Sequence, residues 1–228
     1  MSAPETASRM AAEKAVGLIQ PDMVVGLGSG KMVELVVESM AMARKRGELP
    51  GVTVIPGNLP MAERARALGL SLASLDDHES VDLVVDTADE VDPDKNGIKR
   101  SGAFLQEKVL AQAGKRIVWV VDEDCLSPRL GSKGPVPVEV VAFAQHQAER
   151  LLTSMGARVE VRTNVLSKAF RTEHHNLILD ADFGAMEDPR AIAAKLTAVA
   201  GIVEHGLFLD LAGEVIVAGA AGVRALGS

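Results

Sequence analysis

Short β-branched apolar runs alternate with longer segments of helical period through the first two thirds of the chain. The runs are MVVGLG (Met23 to Gly28), VTVIPG (Val52 to Gly57), VDLVVDTA (Val81 to Ala88) and RIVWVVDE (Arg116 to Glu123). Between the first two, Met32, Leu35, Val36, Met40 and Ala43 recur at helical spacing. Ahead of the first run, TASRMAAEKAVGLI predicts an N-terminal helix. Buried strands alternating with helices predict an α/β fold, a doubly wound and mostly parallel sheet. In that architecture ligands gather beyond the C-terminal ends of the strands.

The pattern changes after PVPVEVVAFA (Pro135 to Ala144). A helical QHQAERLLTSMG is followed by strand-like RVEVRT and NLILDADFG, then by PRAIAAKLTAVAG, a helix with Pro189 at its start. This predicts a smaller α+β domain over residues 139–205, appended to an α/β domain of residues 1–138 plus 206–228. The closing GLFLDLAGEVIVAG then returns strands to the main sheet. The chain has neither an internal repeat nor a low-complexity tract.

Composition narrows the partners. A chain of 228 residues with 47% hydrophobic residues can bury a full core, and a net charge of −7 argues against nucleic acid, which needs clustered Lys and Arg. No apolar run is long enough to span a bilayer, so no membrane partner is expected. The one cysteine, Cys125, rules out a disulfide framework and reads as a single buried thiol. A cytoplasmic location is the expectation.

Gly26-Leu27-Gly28-Ser29-Gly30-Lys31 joins the first strand to the following helix, where main-chain N–H groups can face an anion. It is not a Walker loop, since Val25 and Met32 occupy two required places, nor a dinucleotide fingerprint, since Lys31 stands where the third glycine belongs. It also lacks the frame of a serine-nucleophile elbow. A tight turn without a ligand remains the alternative. Asp86 and Asp89 leave the strand VDLVV at its C-terminal end, where acids point to substrate or cap a turn. Glu90 and Asp92 read as solvated loop charges. Glu107 falls in the first turn of a helix whose apolar stripe is read as Leu105, Val109 and Ala113. There a carboxylate either complements the helix dipole or serves as a general base. Lys99 and Lys133 are candidate cationic partners. The five histidines share no ligand spacing, so no metal site is expected.

Taken in order, VVGLGSG, DTADEVD, IKRSGAFLQEK, LGSKGPVPVEV, NLILD, GLFLDLA and GVR resemble ribose-5-phosphate isomerase type A over nearly the whole length. The resemblance implies an enzyme that interconverts aldose and ketose sugar phosphates. It implies Glu107, Asp86, Asp89 and Lys99 as catalytic residues. It implies Ser29, Gly30, Lys31, Met32, Thr87, Ala88, Arg100, Ser101, Gly102 and Lys133 as substrate-binding residues. It further implies a sugar phosphate as the small-molecule partner, no cofactor, and a homo-oligomer, either dimer or tetramer.

This sequence departs from the family's pattern in three places. Lys31-Met32 stand where Ser-Thr follows the last glycine, and Thr87 replaces a glycine of the acidic run. The segment from Lys99 to Glu107 is one residue shorter, with Arg100 and Ser101 in place of glycines. A paralogue for another phosphosugar and a non-catalytic sugar-phosphate sensor are therefore the rival readings. An acyl-CoA transferase would use its glutamate as a nucleophile instead, a difference that hydroxylamine trapping detects.

Overall fold

The computed structural model describes residues 3–101 and 104–226. The chain divides into two compact units: residues 1–88, 106–126 and 210–228 form the first, and residues 89–105 and 127–209 the second. The second unit thus takes in 89–105, 127–138 and 206–209, which the sequence pattern assigns to the larger domain.

The first unit holds helix α1 (Ala3–Val16), strand β1 (Val24–Leu27), helix α2 (Lys31–Lys45), β2 (Thr53–Pro56), α3 (Leu59–Ala67), β3 (Ser71–Leu72) and β4 (Leu83–Asp86). The second unit begins with the short strands β5 (Glu90–Val91) and β6 (Gly97–Ile98). Helix α4 (Phe104–Ala113) crosses back into the first unit, where β7 (Ile117–Asp122) follows. Next in the second unit come β8 (Val136–Val140), α5 (Gln145–Ser154), β9 (Arg158–Val161), β10 (Leu177–Asp182), α6 (Pro189–Thr197), β11 (Ile202–His205) and β12 (Leu207–Phe208). Strands β13 (Glu214–Gly219) and β14 (Gly222–Ala225) close the chain in the first unit.

A seven-stranded sheet forms the first unit, in the order β14-β13-β7-β4-β1-β2-β3. All its neighbours run parallel except β13 and β14, which make an antiparallel hairpin. Residues Ile117 to Val121 are all buried, as a central parallel strand covered on both faces must be. Helices α1 and α2 contribute Ala11, Ala15, Val33, Val36 and Met40 to one core with Val25, Leu27, Leu83, Val118 and Ile216 of the strands. Chain order reverses at β1: β2 lies on one side of it and β4 on the other. That switch point opens the crevice in which such sheets bind ligands.

The second unit contains an antiparallel sheet, β11-β8-β10-β9, and a three-stranded one, β12-β6-β5. Val138, Val140, Leu177 and Leu179 of the four-stranded sheet share a core with Leu152 of α5 and Leu196 of α6. Asp188 caps α6 by accepting from Ala191 N at 2.9 Å, with Pro189 behind it at the first helical position. Strand β12 therefore returns to β6, while β13 alone of the closing segment rejoins the main sheet.

Candidate active site

The site elements of the first unit stand at the C-terminal ends of β1, β2 and β4. Gly28 follows β1, and its N–H donates to Val85 O at 3.0 Å. Asp86 ends β4, is buried, and its Oδ1 accepts from the N–H of Thr87 at 2.7 Å and of Ser29 at 3.3 Å. A Cβ at Gly28 would lie 1.8 Å from that same Oδ1, so only glycine fits there. The glycine-rich turn is therefore shaped to receive the carboxylate of the neighbouring strand. Gly30 takes φ 102°, a region glycine enters without strain, and caps α2 with no side chain. Thr87 Cγ2 would stand 3.0 Å from a Cβ at Gly30, so the threonine of the acidic run packs over the glycine turn.

Helix α4 places Glu107. A Cβ at Gly26 would come within 2.9 Å of both Leu110 and Val84, and one at Gly114 within 2.7 Å of Val84. Lacking those atoms, the helix settles close against β1 and β4. Its buried face is Phe104, Glu107, Lys108, Leu110 and Ala111, while Val109 is 48% exposed. The apolar stripe expected at Leu105, Val109 and Ala113 is thus corrected. Gly26 of β1 and Gly114 just after α4 permit this close approach, and the face turned inward carries the Glu107 carboxylate. Glu107 is 0% exposed in the first turn of α4. A Cβ at Gly57, just after β2, would lie 3.1 Å from Glu107 Cγ and 3.5 Å from Gly28 Cα. Glu107 and Asp86 accordingly pack on the two adjoining glycines, Gly57 and Gly28.

The remaining residues of this group differ in what they can present. Lys31 is exposed as the first residue of α2, and Ser29 is half-buried. Ala88 is buried. Met32, expected at the substrate, has its side chain in the hydrophobic core at 3% exposure, so only its main chain is placed to meet a ligand.

In the second unit Asp89 is exposed and its Oδ2 accepts from Arg100 N. Lys99 is 1% exposed, with Nζ 5.8 Å from the Phe208 ring centroid, and its N–H donates to Gly206 O at 2.9 Å. Ser101 and Lys133 are exposed, and Gly102 lies outside the described residues. The Arg100 guanidinium is engaged within the second unit. Its Nη2 pairs with Glu90 and donates to Gly134 O at 3.1 Å, and its Nε donates to Pro135 O at 2.9 Å. The reading of Glu90 and Asp92 as solvated charges is also corrected. Glu90 is 0% exposed in β5, and Asp92 is buried, accepting from Asn96 N at 2.9 Å to close the β5–β6 hairpin. The hairpin turns at residues 92–95, where Lys95 N–H donates to Asp92 O at 3.0 Å, and Pro93 at the second turn position is the sequence signal for it. Cys125 is partly exposed, where a buried thiol is expected.

Among the described residues no group of three or more His, Cys, Asp and Glu side chains is placed to hold a metal ion, and no helix is long and apolar enough to cross a membrane. Two buried carboxylates packed on glycine turns, at the strand ends beside a helix N-terminus, are what an enzyme needs to shuttle protons on a phosphorylated substrate. Sugar-phosphate isomerases are one class of enzyme with that need.

Within it, the chain belongs to the ribose 5-phosphate isomerase A (phosphoriboisomerase A) family, whose family model matches residues 53–222. It is 48% identical to ribose-5-phosphate isomerase A of Desulfatibacillum aliphaticivorans over 98% of both chains. It is 44% identical to that of Chloroflexus aurantiacus over 96% of this chain and 92% of the other. Among solved structures, a D-ribose-5-phosphate isomerase in complex with phospho-erythronic acid superposes with a TM-score of 0.95, at 34% identity and covering 97% of this chain and 98% of its own. Ribose 5-phosphate isomerase from Plasmodium falciparum gives a TM-score of 0.93 at 29% identity, covering 98% and 99%.

Proposed function

We propose that this protein interconverts ribose 5-phosphate and ribulose 5-phosphate by proton transfer through an ene-diolate. The observation that carries the reading is Glu107. It is a wholly buried carboxylate set against Gly57 at the strand ends, in a chain that belongs to this isomerase family. Glu107 takes the proton from C2 of the open-chain aldose as the C1 carbonyl oxygen gains the electron pair. It then returns a proton to C1 while the proton of the C2 hydroxyl passes to the C1 oxygen, leaving a C2 ketone and a C1 hydroxyl. Oxidation at C2 balances reduction at C1, so the chemistry calls for no external oxidant or reductant.

Asp86 and Asp89 are assigned the hydroxyl protons, ring opening included. The turn Ser29 to Lys31, with the first N–H groups of α2, suits the phosphate. For Lys99, Ser101, Gly102 and Lys133 the roles rest on the family resemblance alone: Lys99 and the neighbouring N–H groups stabilise the developing oxyanion, and Lys133 holds phosphate or hydroxyls. A similar isomerase with phospho-erythronic acid bound supports a phosphorylated open-chain ligand. We place the enzyme in the cytoplasm as a homo-oligomer, dimer or tetramer, which light scattering of the purified protein measures. An isomerase assay across phosphorylated and free pentoses, hexoses and tetroses tests the reading. Ribose 5-phosphate is expected to give the highest kcat/KM. Preference for another sugar, or no turnover of any, overturns it.

A further inference from the structure

The least expected charge in the molecule is Glu90. Burial strips a carboxylate of water, and the cost is offset only when its lone pairs meet donors and its charge meets a cation. Glu90 meets both: it accepts from Ser132 N at 3.0 Å and Lys133 N at 3.4 Å, and it pairs with Arg100. Arg100 extends the contact by donating to the carbonyls of Gly134 and Pro135 at 3.1 and 2.9 Å. One ion pair thus touches the segment after β6 and the turn before β8 at once. From the other side Arg162 Nη1 donates to Arg100 O at 2.7 Å, and Arg162 is itself gripped by both oxygens of Asp180. The N–H, the carbonyl and the guanidinium of Arg100 are all fixed.

We propose that Glu90 and Arg100 are positioning residues, a clamp that locks the Lys99–Ser101 segment to the Ser132–Lys133 turn so that both present their substrate-holding groups in one fixed geometry. This rests on the functional reading above, in which Lys99, Ser101 and Lys133 serve the substrate. It also accounts for the replacement of glycine by arginine: the rigidity that a bare loop lacks is supplied by a planar guanidinium that reaches a carboxylate and two carbonyls together. Lysine offers a single point charge and cannot span the three.

Single removal of either partner strands a buried charge and risks misfolding, so the test uses the neutral pair E90Q/R100Q beside R100K. Each is checked for folding by thermal unfolding and circular dichroism. The double variant is expected to fold and to lose about 10²-fold in kcat/KM, with KM raised and kcat lowered together, because a displacement of about 1 Å in such groups costs that much. R100K is expected to lose about 10-fold, since one of several hydrogen bonds survives. Amide exchange followed by mass spectrometry is expected to quicken in residues 97–101 and 131–135 together, with β13 unchanged. Kinetic constants within about twofold of wild type in the folded double variant overturn the proposal. Exchange that quickens in one segment alone, or in neither, overturns it too. Exchange needs no substrate, so it decides the clamp even if the wild-type protein proves not to isomerise ribose 5-phosphate, an outcome that sinks the functional reading separately.

Discussion

Two buried acids, Asp86 in the first unit and Glu90 in the second, have different surroundings. In the first, Asp86 rests on the N–H groups of Ser29 and Thr87 and against Gly28, and Glu107 packs beside Gly57. In the second, Glu90 accepts from the N–H groups of Ser132 and Lys133 and also pairs with Arg100, half-buried Asp180 pairs with Arg162, and buried Asp92 and Glu139 accept from Asn96 and from Thr172 and Asn176. Main-chain amides and glycine packing stay in place when a carboxylate gains or loses a proton. An arginine pair does not, because removing the charge removes the support. The first arrangement suits the proton transfer proposed for Asp86 and Glu107, and the arginine pair suits the positioning role proposed for Glu90.

The sharpest way to break this distinction is Glu107→Gln. The amide keeps the shape but cannot take the proton, so turnover should fall by about 10²–10⁴ with KM changed only a few-fold. More than about a tenth of wild-type turnover in the isomerase assay would remove Glu107 from the role of base. Next in size is Gly28→Ala, which adds no charge and removes none. Its Cβ would occupy the place of Asp86 Oδ1, 1.8 Å away, so the carboxylate must leave its seat. A loss of about 10²-fold in kcat/KM is expected from that displacement. Near-normal activity in a folded Gly28→Ala would show that the glycine seat does not set the position of Asp86.

The acids proposed for the chemistry were legible in the sequence, and those proposed to set geometry were not. Asp86 is announced by the end of a run of buried β-branched residues, and Glu107 by a helix start, even though the apolar stripe read for that helix lies on the wrong face. Glu90 sits in a strand of two residues, too short for any alternation, and its partner Arg100 is found only through the β5–β6 hairpin. Arg162 and Asp180 meet across paired strands β9 and β10, and such registers are set by tertiary packing. The rotation of α4 escaped for a related reason. The side chains of α4 predict one face, but Gly26 and Gly114, which permit the close approach, lie outside it.

Lys31 probes the comparison more gently. It stands exposed at the first position of α2, where a cation opposes the helix dipole, unless an anion sits there to offset it. Lys31→Ala should then raise KM for ribose 5-phosphate roughly three- to tenfold with kcat unchanged, the mark of binding energy shared by substrate and transition state. Unphosphorylated sugars should be indifferent to it. Unchanged KM for every phosphorylated sugar would assign the phosphate to the main-chain N–H groups or to Lys133.

The smallest effect is expected at the other end of the strand that carries Asp86. Asp82 precedes β4, accepting from Lys115 Nζ at 2.8 Å and from Val24 N at 2.9 Å. The Lys115 ammonium, and after it the Val24 N–H, hold its carboxyl below the usual carboxylate range. Here an acid with both kinds of support lies at the N-terminal end of the parallel strands, away from the crevice where ligands gather. It should therefore contribute stability and nothing to turnover. A carboxyl whose folded value is depressed stabilises the fold above its unfolded value of about 3.9, and the contribution disappears as pH falls through the folded value. Asp82→Asn should cost about 1 kcal/mol in urea unfolding at neutral pH, a modest figure because the side chain is partly exposed. The gap to wild type should stay constant down to about pH 4 and close below it. If kcat/KM falls along with stability, position along the strand does not separate the acids that act from the acids that hold. If both curves keep their gap in acid, the stabilisation comes from packing and not from the charge on Asp82.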